Sequence, residues 1–379
     1  MNILVLNSNP KCLATRNIVE AGKKRGHKMV ILDPAYFSPL VSSVERGFDR
    51  IYDLLPTTVS RIYIQDIDAI IPRIGNNVIY NSYVLEQLTL NMGIYSVISA
   101  IGLRIAASKW HTLQTVSRHG IKVPLTIYSR SSNNVEFLIE KIGSVPFVLK
   151  YNYGSQGLGV ALMTSKKSAI STIEALLKNK ADFLLQQYIE SKGQDIRAVV
   201  VGNQVIASYK RTAPRGDFRS NISGGGSGES INLSVEDQII AIKASQALGL
   251  EFSGCDLIKD SKGTTYLTEV NSNPGFAGQK VTGINFAEPL IRYIENRELS
   301  GKTAPAKTPN QFYDQLKEEN RKLWGHVKFF TENRRIQQIF ENTKDKDISY
   351  RDISGKWMMR RIKNIYDIYR IVFDTLMIK

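Results

Sequence analysis

Cysteine is nearly absent from this 379-residue chain, which has only Cys12 and Cys255. Two thiols so far apart make neither a disulfide framework nor a zinc-ligand spacing, and both are read as reduced. Histidine is almost as scarce, and His27, His111, His119 and His326 are too scattered to form a metal set. No run of about 18 apolar residues occurs, so no membrane span is expected. Met1-Asn-Ile-Leu-Val-Leu6 reads as a strand without a basic leader, which argues against a signal peptide and for a cytoplasmic chain. No Gly-x-Gly-x-x-Gly follows that strand, which speaks against a dinucleotide fold. No Gly-Lys-Ser/Thr completes a Walker loop either.

What is present is an ordinary folded composition, 42% hydrophobic and 22% charged, long enough for two or three structural units. The net charge of +15 predicts anionic partners: nucleotides, acidic peptides, nucleic acid or an anionic membrane surface. Charge alone does not choose among these. No nucleic-acid recognition motif appears, and nucleic acid is not the expected partner.

Residues 1–100 alternate strand-like and helix-like segments. Ile3–Leu6, Met29–Leu32 and Ala69–Ile71 are apolar runs, and residues 17–25 have a helical pattern, which together predict a small parallel α/β unit. Ligands of such sheets sit beyond the carboxyl ends of the strands, which brings Asn7, Asp33 and Arg73 towards a site. Residues 108–119 read as a helix, capped by Ser108 and stopped by Gly120, with Lys109 at its start. In isolation Lys109 reads better as a surface lysine.

A short strand then ends at Lys150, followed by Tyr151-Asn-Tyr-Gly-Ser-Gln-Gly-Leu-Gly-Val160. Three glycines in six residues let backbone N–H groups wrap an anion, and the lysine adds a point charge. An ordinary hairpin turn is the alternative. Further on come a helix (166–180), a strand (183–189) and two β-rich runs (196–201 and 205–208). A basic segment with Lys210, Arg211, Arg215 and Arg219 precedes a helix over 235–248.

Ser253-Gly-Cys-Asp-Leu-Ile258 and Thr265-Tyr-Leu-Thr-Glu-Val-Asn271 predict a hairpin that brings Asp256 beside Glu269. Residues two apart on a strand share a face, so Glu269 and Asn271 project together. Two carboxylates and a carboxamide are hard oxygen ligands of the kind Mg²⁺ takes alongside phosphate. A solvated acidic edge is the alternative.

Beyond a linker-like stretch at 301–309, residues 300–379 hold 17 Lys/Arg against 10 Asp/Glu. Helices are expected over 311–342 and 355–378. Their mixture of Trp357, Tyr366 and Phe373 with Arg360, Arg361 and Lys363 suits a packed helical appendage. Docking of a peptide or protein partner is the next reading.

Taken in order, these pieces resemble the ATP-grasp superfamily. They are Lys109, Val148-Leu-Lys150, Gly154-Ser-Gln-Gly-Leu-Gly159, Gln186-Gln-Tyr-Ile189, Asp195-Ile-Arg197, Gly216-Asp-Phe-Arg-Ser-Asn221, Cys255-Asp256 and Thr268-Glu-Val-Asn-Ser-Asn-Pro-Gly275. Within the superfamily the chain is similar to the RimK-type α-L-glutamate ligases, over residues 1–297 and including Ile31-Leu-Asp-Pro34 and Ile71-Pro-Arg-Ile-Gly75.

The resemblance implies a fold of α/β and α+β class. It would have a parallel α/β pre-ATP-grasp domain (1–100), a central lobe with the glycine-rich loop (101–190), a C-terminal lobe with the metal site (191–299) and a basic helical extension (300–379). It further implies ATP with Mg²⁺ or Mn²⁺, two ions being expected. Lys109 and Lys150 would meet the phosphates, with the loop of Gly154, Ser155, Gln156, Gly157 and Gly159 above them. Gln187 and Tyr188 would meet the adenine, with Asp195 nearby, and Arg219, Ser220 and Asn221 match a further nucleotide motif. Asp256, Glu269 and Asn271 match the metal ligands. Gln187 departs from the family's usual glutamate, and the spacing from Tyr188 to Asp195 is shorter than usual.

The implied chemistry is attack of an acceptor carboxylate on the γ-phosphate, then displacement by an amine, typically of an amino acid such as glutamate. Arg211 is the candidate for the acylphosphate or oxyanion, with Lys150 assisting. Arg73 and Arg197 are candidates for substrate carboxylates. The expected acceptor is an acidic peptide, protein or small molecule, and a homo-oligomer is left open. Two alternatives stand beside this reading: a ligase making amide or ester links within a precursor peptide, and a nucleotide-binding regulator.

Overall fold

Ile3–Leu6 are fully buried on both faces of their strand, as a central parallel strand requires. In a computed structural model of the chain this strand is β1 (Asn2–Leu6), the centre of the first sheet. The structure describes residues 1–39, 51–55, 58–61, 67–130, 134–154, 159–214, 217–218, 220, 225–299, 344–351 and 357–361. The chain divides into two compact units, Met1–Ala306 and Lys307–Lys379.

In the first unit β1 is followed by α1 (Leu13–Lys24) and β2 (Lys28–Leu32). A small antiparallel sheet of β3 (Phe37–Pro39), β4 (Ile51–Leu55) and β5 (Thr58–Arg61) comes next. β6 (Ala69–Pro72), α2 (Val78–Glu86) and β7 (Tyr95–Ser96) complete the parallel sheet, in the order β2-β1-β6-β7. The three apolar runs are therefore its strands, with β1 pairing in parallel to β2 and β6.

Two serines start the helices that follow. Ser99 accepts the Gly102 N–H at the head of α3 (Ala100–Ala107), and Ser108 accepts the His111 N–H at the head of α4 (Lys109–Arg118). The central lobe holds β8 (Thr126–Tyr128), α5 (Val135–Lys141), β9 (Phe147–Tyr151), β10 (Val160–Met163), α6 (Lys166–Lys178) and β11 (Phe183–Gln187). Its antiparallel sheet runs β10-β9-β11-β8 over a core of its own around Phe147, Leu149, Ile173 and Phe183.

The C-terminal lobe is a five-stranded antiparallel sheet, ordered β14-β13-β12-β15-β16. Its elements are β12 (Gln194–Val201), β13 (Gln204–Thr212), β14 (Ser227–Ser230), α7 (Val235–Ala247), β15 (Phe252–Lys259) and β16 (Thr265–Asn271). α8 (Gln279–Thr282) and α9 (Ala287–Leu299) follow. This lobe and the N-terminal sheet share one continuous core. Backbone bonds from Ser99 N to Gly249 O (3.1 Å) and from Glu251 N to Val97 O (2.8 Å) stitch them together.

In the second unit, β17 (Asp347–Arg351) and β18 (Trp357–Arg361) pair as an antiparallel hairpin. The helix expected over 355–378 is corrected for Trp357–Arg361. Trp357 pairs with Arg351 and Met358 with Tyr350, so cross-strand partners win over helical spacing. The helix expected over 311–342 lies outside the described residues.

Candidate active site

Register builds the site. Asp195 on β12 lies opposite Arg211 on β13, Arg197 opposite Asp256 on β15, and Asp256 opposite Glu269 on β16. Cross-strand neighbours sit about 5 Å apart at Cβ, so one row of charges forms across the sheet. The predicted hairpin and its Asp256/Glu269 pairing are both present. A bulge accompanies them: Leu257 pairs with Leu267, which leaves Thr268 as the extra residue. Leu267 and Val270 are three apart yet both fully buried, which strict alternation forbids and the bulge permits. Glu269 and Asn271 are thereby turned together to the other face.

That face lines a cavity of about 1190 Å³. Lys109, Lys150, Gly154, Gln187, Tyr188, Asp195, Arg197, Arg211, Ser220, Asp256, Glu269 and Asn271 all line it. Gly159 and Arg73 do not. Ser155, Gln156, Gly157, Arg219 and Asn221 lie outside the described residues.

The arginines are spoken for. Arg211 donates from Nε to Asp195 Oδ1 at 2.6 Å and from Nη2 to Asp195 Oδ2 at 2.5 Å, and its Nη2 is 3.0 Å from Asp256 Oδ2. Arg197 grips the same aspartate through Nε and, at 2.9 Å, through Nη2. Burial disfavours the Asp256 carboxylate, but Arg197 and Arg211 outweigh it and hold it below the usual carboxylate range. The two aspartates likewise overcome burial and raise the pKa of Arg211. Arg197, expected on a substrate carboxylate, is thus committed to Asp256.

Arg73 departs further from expectation. The residue is 5% exposed, and its guanidinium donates from Nη2 to Pro274 O at 2.9 Å and sits over the rings of Phe252 and Phe276. Burial pulls it down to about 10, with Cys12 opposing. It is packed behind the cavity wall instead of facing into the cavity.

The two lysines come from the start of α4 and the end of β9. Lys109 donates to Gly154 O at 2.7 Å and lies 3.9 Å from Glu269 Oε1. Burial, helped by the Lys109 charge, depresses the Lys150 ammonium, while Glu269, Asp256 and Asp195 oppose the shift. Asn152, which sequence reasoning passed over, positions this corner. Its carbonyl accepts the Lys109 N–H (3.0 Å), and its side-chain oxygen accepts from Trp110 N (3.0 Å) and Ser108 Oγ (3.1 Å). A lone asparagine beside a glycine loop carries no sequence signal for that duty.

The side-chain oxygen of Gln187 accepts the Leu125 N–H at 3.3 Å, a role a carboxamide fills as a carboxylate would. Asn273 is a second omission: it lines the cavity, while its Oδ1 is buried without a hydrogen-bond partner. Among the described residues no cluster of three His, Cys, Asp or Glu forms a metal cage. The Asp256, Glu269 and Asn271 oxygens fit a hard divalent cation shared with phosphate, the usual manner of Mg²⁺.

A carboxylate-and-lysine cavity between two antiparallel lobes, behind a parallel α/β domain, defines an ATP-grasp ligase. The comparisons agree. The RimK-like ATP-grasp domain matches residues 106–294 and the RimK pre-ATP-grasp domain residues 1–103. A probable alpha-L-glutamate ligase of Ectopseudomonas mendocina is 38% identical over 307 residues, covering 80% of this chain and 98% of the relative. One from Pseudomonas aeruginosa strain PAO1 is 38% identical over 299 residues, or 78% and 95% of the two chains. The chain belongs to the RimK-type ATP-grasp ligase family.

Solved structures share the fold. The ATP-grasp ligase PsnB, complexed with a phosphomimetic variant of its minimal precursor, Mg and ADP, superposes with a TM-score of 0.60 at 18% identity. That match covers 78% of this chain and 98% of the other. A RimK domain ATP-grasp protein of Sphaerobacter thermophilus gives 0.56 at 20% identity, covering 78% and 100%. Among the described residues no helix is long and apolar enough to cross a membrane.

Proposed function

We propose that the chain joins the carboxylate of an acidic acceptor to the amine of glutamate at the expense of ATP. One observation carries the reading: two lysines, an oxygen-ligand set and a fixed arginine converge on one cavity. Relatives named alpha-L-glutamate ligase support glutamate as the donor.

Lys109 and Lys150 hold the α- and β-phosphates, and the loop of Gly154, Ser155, Gln156, Gly157 and Gly159 covers them. Gln187 and Tyr188 meet the adenine, and Arg219, Ser220 and Asn221 complete the nucleotide site. Asp256, Glu269 and Asn271 would hold Mg²⁺, taken as two ions, which would supply positive charge to offset that of the phosphates. Lysine charge in a site shielded from water lets two anions approach. An acceptor carboxylate oxygen attacks the γ-phosphorus, the bond to the β-phosphate oxygen breaks, and ADP leaves an acylphosphate behind. The donor amine then attacks the acyl carbon, phosphate departs, and the nitrogen loses a proton to give the amide. Arg211, fixed by Asp195 and Asp256, offers its guanidinium to the oxyanion.

A second reading, modification of a precursor peptide, is favoured by one feature. The cavity continues past the charged row to an apolar wall at Val78, Ile79 and Ile101, and both isoleucines are exposed. Such a wall suits a peptide segment better than a small polar acceptor.

The test is phosphate release from MgATP with each amino acid, alone and with glutamate-ended peptides, with product masses read in parallel. Release that depends on glutamate, with the matching mass gain, is expected, and Glu269→Ala abolishes it. Release with a different amine, or none with any, overturns the donor assignment.

A further inference from the structure

Both arginines that the sequence offers to a substrate carboxylate are engaged elsewhere in the fold. Arg197 grips Asp256, and Arg73 is packed behind the cavity wall on Pro274 O. Arg197 and Arg211 face Asp195 and Asp256 in one row, two guanidiniums against two carboxylates, so the row balances its own charge. A substrate carboxylate arriving beside it finds no spare cation there.

Tyr209 stands in the same row. β13 places it two residues before Arg211, on the same face of the strand, and directly opposite Arg197 on β12. It lines the cavity, although only 4% of the residue is exposed. A tyrosine buried this far ordinarily has a partner for its hydroxyl. Tyr95 and Tyr128 follow the rule and bond to Glu251 and Asp182. The Tyr209 hydroxyl makes no hydrogen bond among the described residues. Its oxygen also retains accessible surface, on a residue that lines the cavity.

Room for the phenol is left by a glycine. A Cβ at Gly278 would lie 2.7 Å from the Tyr209 hydroxyl. Gly278 follows Ala277, itself a lining residue, so the hydroxyl lies against the segment that comes after Glu269 and Asn271. Burial raises the pKa of Tyr209, and Arg197 and Arg211 offset this only in part. The hydroxyl therefore keeps its proton at neutral pH and is a donor.

We propose that Tyr209 is a specificity-determining residue whose hydroxyl donates a hydrogen bond to the acceptor carboxylate, a role that rests on the ligase reaction given above. A carboxylate only accepts hydrogen bonds, and Tyr209 adds to the row a donor that no group of the row has taken. An adjacent cation lowers the basicity of a carboxylate. A neutral donor thus fixes the oxygen that attacks the γ-phosphorus with less loss of its nucleophilicity.

The experiment compares wild type, Tyr209→Phe and Gly278→Ala as full chains, with MgATP, glutamate and a glutamate-ended peptide, reading phosphate release and product mass. Calorimetry with Mg²⁺ and a non-hydrolysable ATP analogue measures peptide binding alongside. Tyr209→Phe is expected to raise the peptide's KM and dissociation constant about tenfold or more, the loss of one hydrogen bond to a charged group, while the KM for ATP holds. Its thermal midpoint should stay at or above that of wild type, because the hydroxyl removed has no partner in the chain. A purely structural hydroxyl would instead lower that midpoint and move both KM values together, which overturns the proposal. Gly278→Ala crowds the phenol without removing it. It should weaken peptide binding as well, and add little in the Tyr209→Phe background. If wild type binds and extends the peptide and Tyr209→Phe matches it in both peptide constants, the role of Tyr209 falls and the ligase reading stands. If wild type neither binds nor extends the peptide, that reading falls and the role falls with it.

Discussion

Replacing Arg197 with methionine separates two roles that sequence and structure give it. If it positions Asp256, its loss strips one partner from a buried ion pair. The two side chains are 12% and 8% exposed and joined by two hydrogen bonds. Breaking such a pair from one side costs about 3–5 kcal/mol. Asp256 keeps Arg211 at 3.0 Å, so the lower end, about 3 kcal/mol, is expected. Urea unfolding of wild type, Arg197→Met, Asp256→Asn and the double variant forms the assay, and a coupling of about 1.5 kcal/mol or more should emerge. The sign with pH follows. Arg197 and Arg211 depress the Asp256 carboxylate despite its burial, so the pair's contribution is present above the ordinary aspartate value of about 3.9 and lost as pH falls through the lower folded value. The Mg²⁺ concentration for half-maximal turnover should change as well. Coupling below about 0.5 kcal/mol, with only the acceptor KM raised, would refute the positioning role and return Arg197 to the substrate.

Lys150→Met should lower turnover at least about a hundredfold with the fold intact, measured by phosphate release and circular dichroism. Because burial depresses the Lys150 ammonium, its charge disappears as pH rises through a value below that of an ordinary lysine, and the KM for ATP should climb on the alkaline side sooner than in an unburied site. Ser108→Ala removes the cap of α4 and the bond to Asn152. A stability loss of about 1 kcal/mol is expected, together with weaker ATP binding because Lys109 is the next residue. Gly102→Ala would bring a Cβ within 2.2 Å of Leu248 O, a backbone atom that cannot swing away, so a drop of about 2 kcal/mol or more should appear in thermal unfolding.

Much of this arrangement was legible in the residues, and the exceptions have physical causes. Parallel strands buried on both faces must be continuous apolar runs, so Ile3–Leu6 and Ala69–Ile71 announce themselves. The hairpin of β15 and β16 was equally plain, since the polar stretch between them reads as a turn. The bulge at Thr268 was not. Leu267 and Val270 break the two-residue period, and a sequence cannot say whether such a break is a bulge or the end of a strand. Trp357–Arg361 fails for a related reason, because its partner strand decides its conformation and that pairing is non-local.

The arginines show where residue-level reading stops. Arg73, Arg197 and Arg211 all carry the same five donors; the sequence reading gives the first two to substrate carboxylates and Arg211 to the acylphosphate or oxyanion. Register separates them. Arg197 and Arg211 fall opposite Asp256 and Asp195 across neighbouring strands and are satisfied there. Arg73 sits at the end of a different sheet, held by Pro274 O and two phenyl rings. Its bond to Pro274 reaches the chain three residues beyond Asn271. Arg73 therefore ties the end of β6 to the turn that follows β16, apart from the charged row of the cavity.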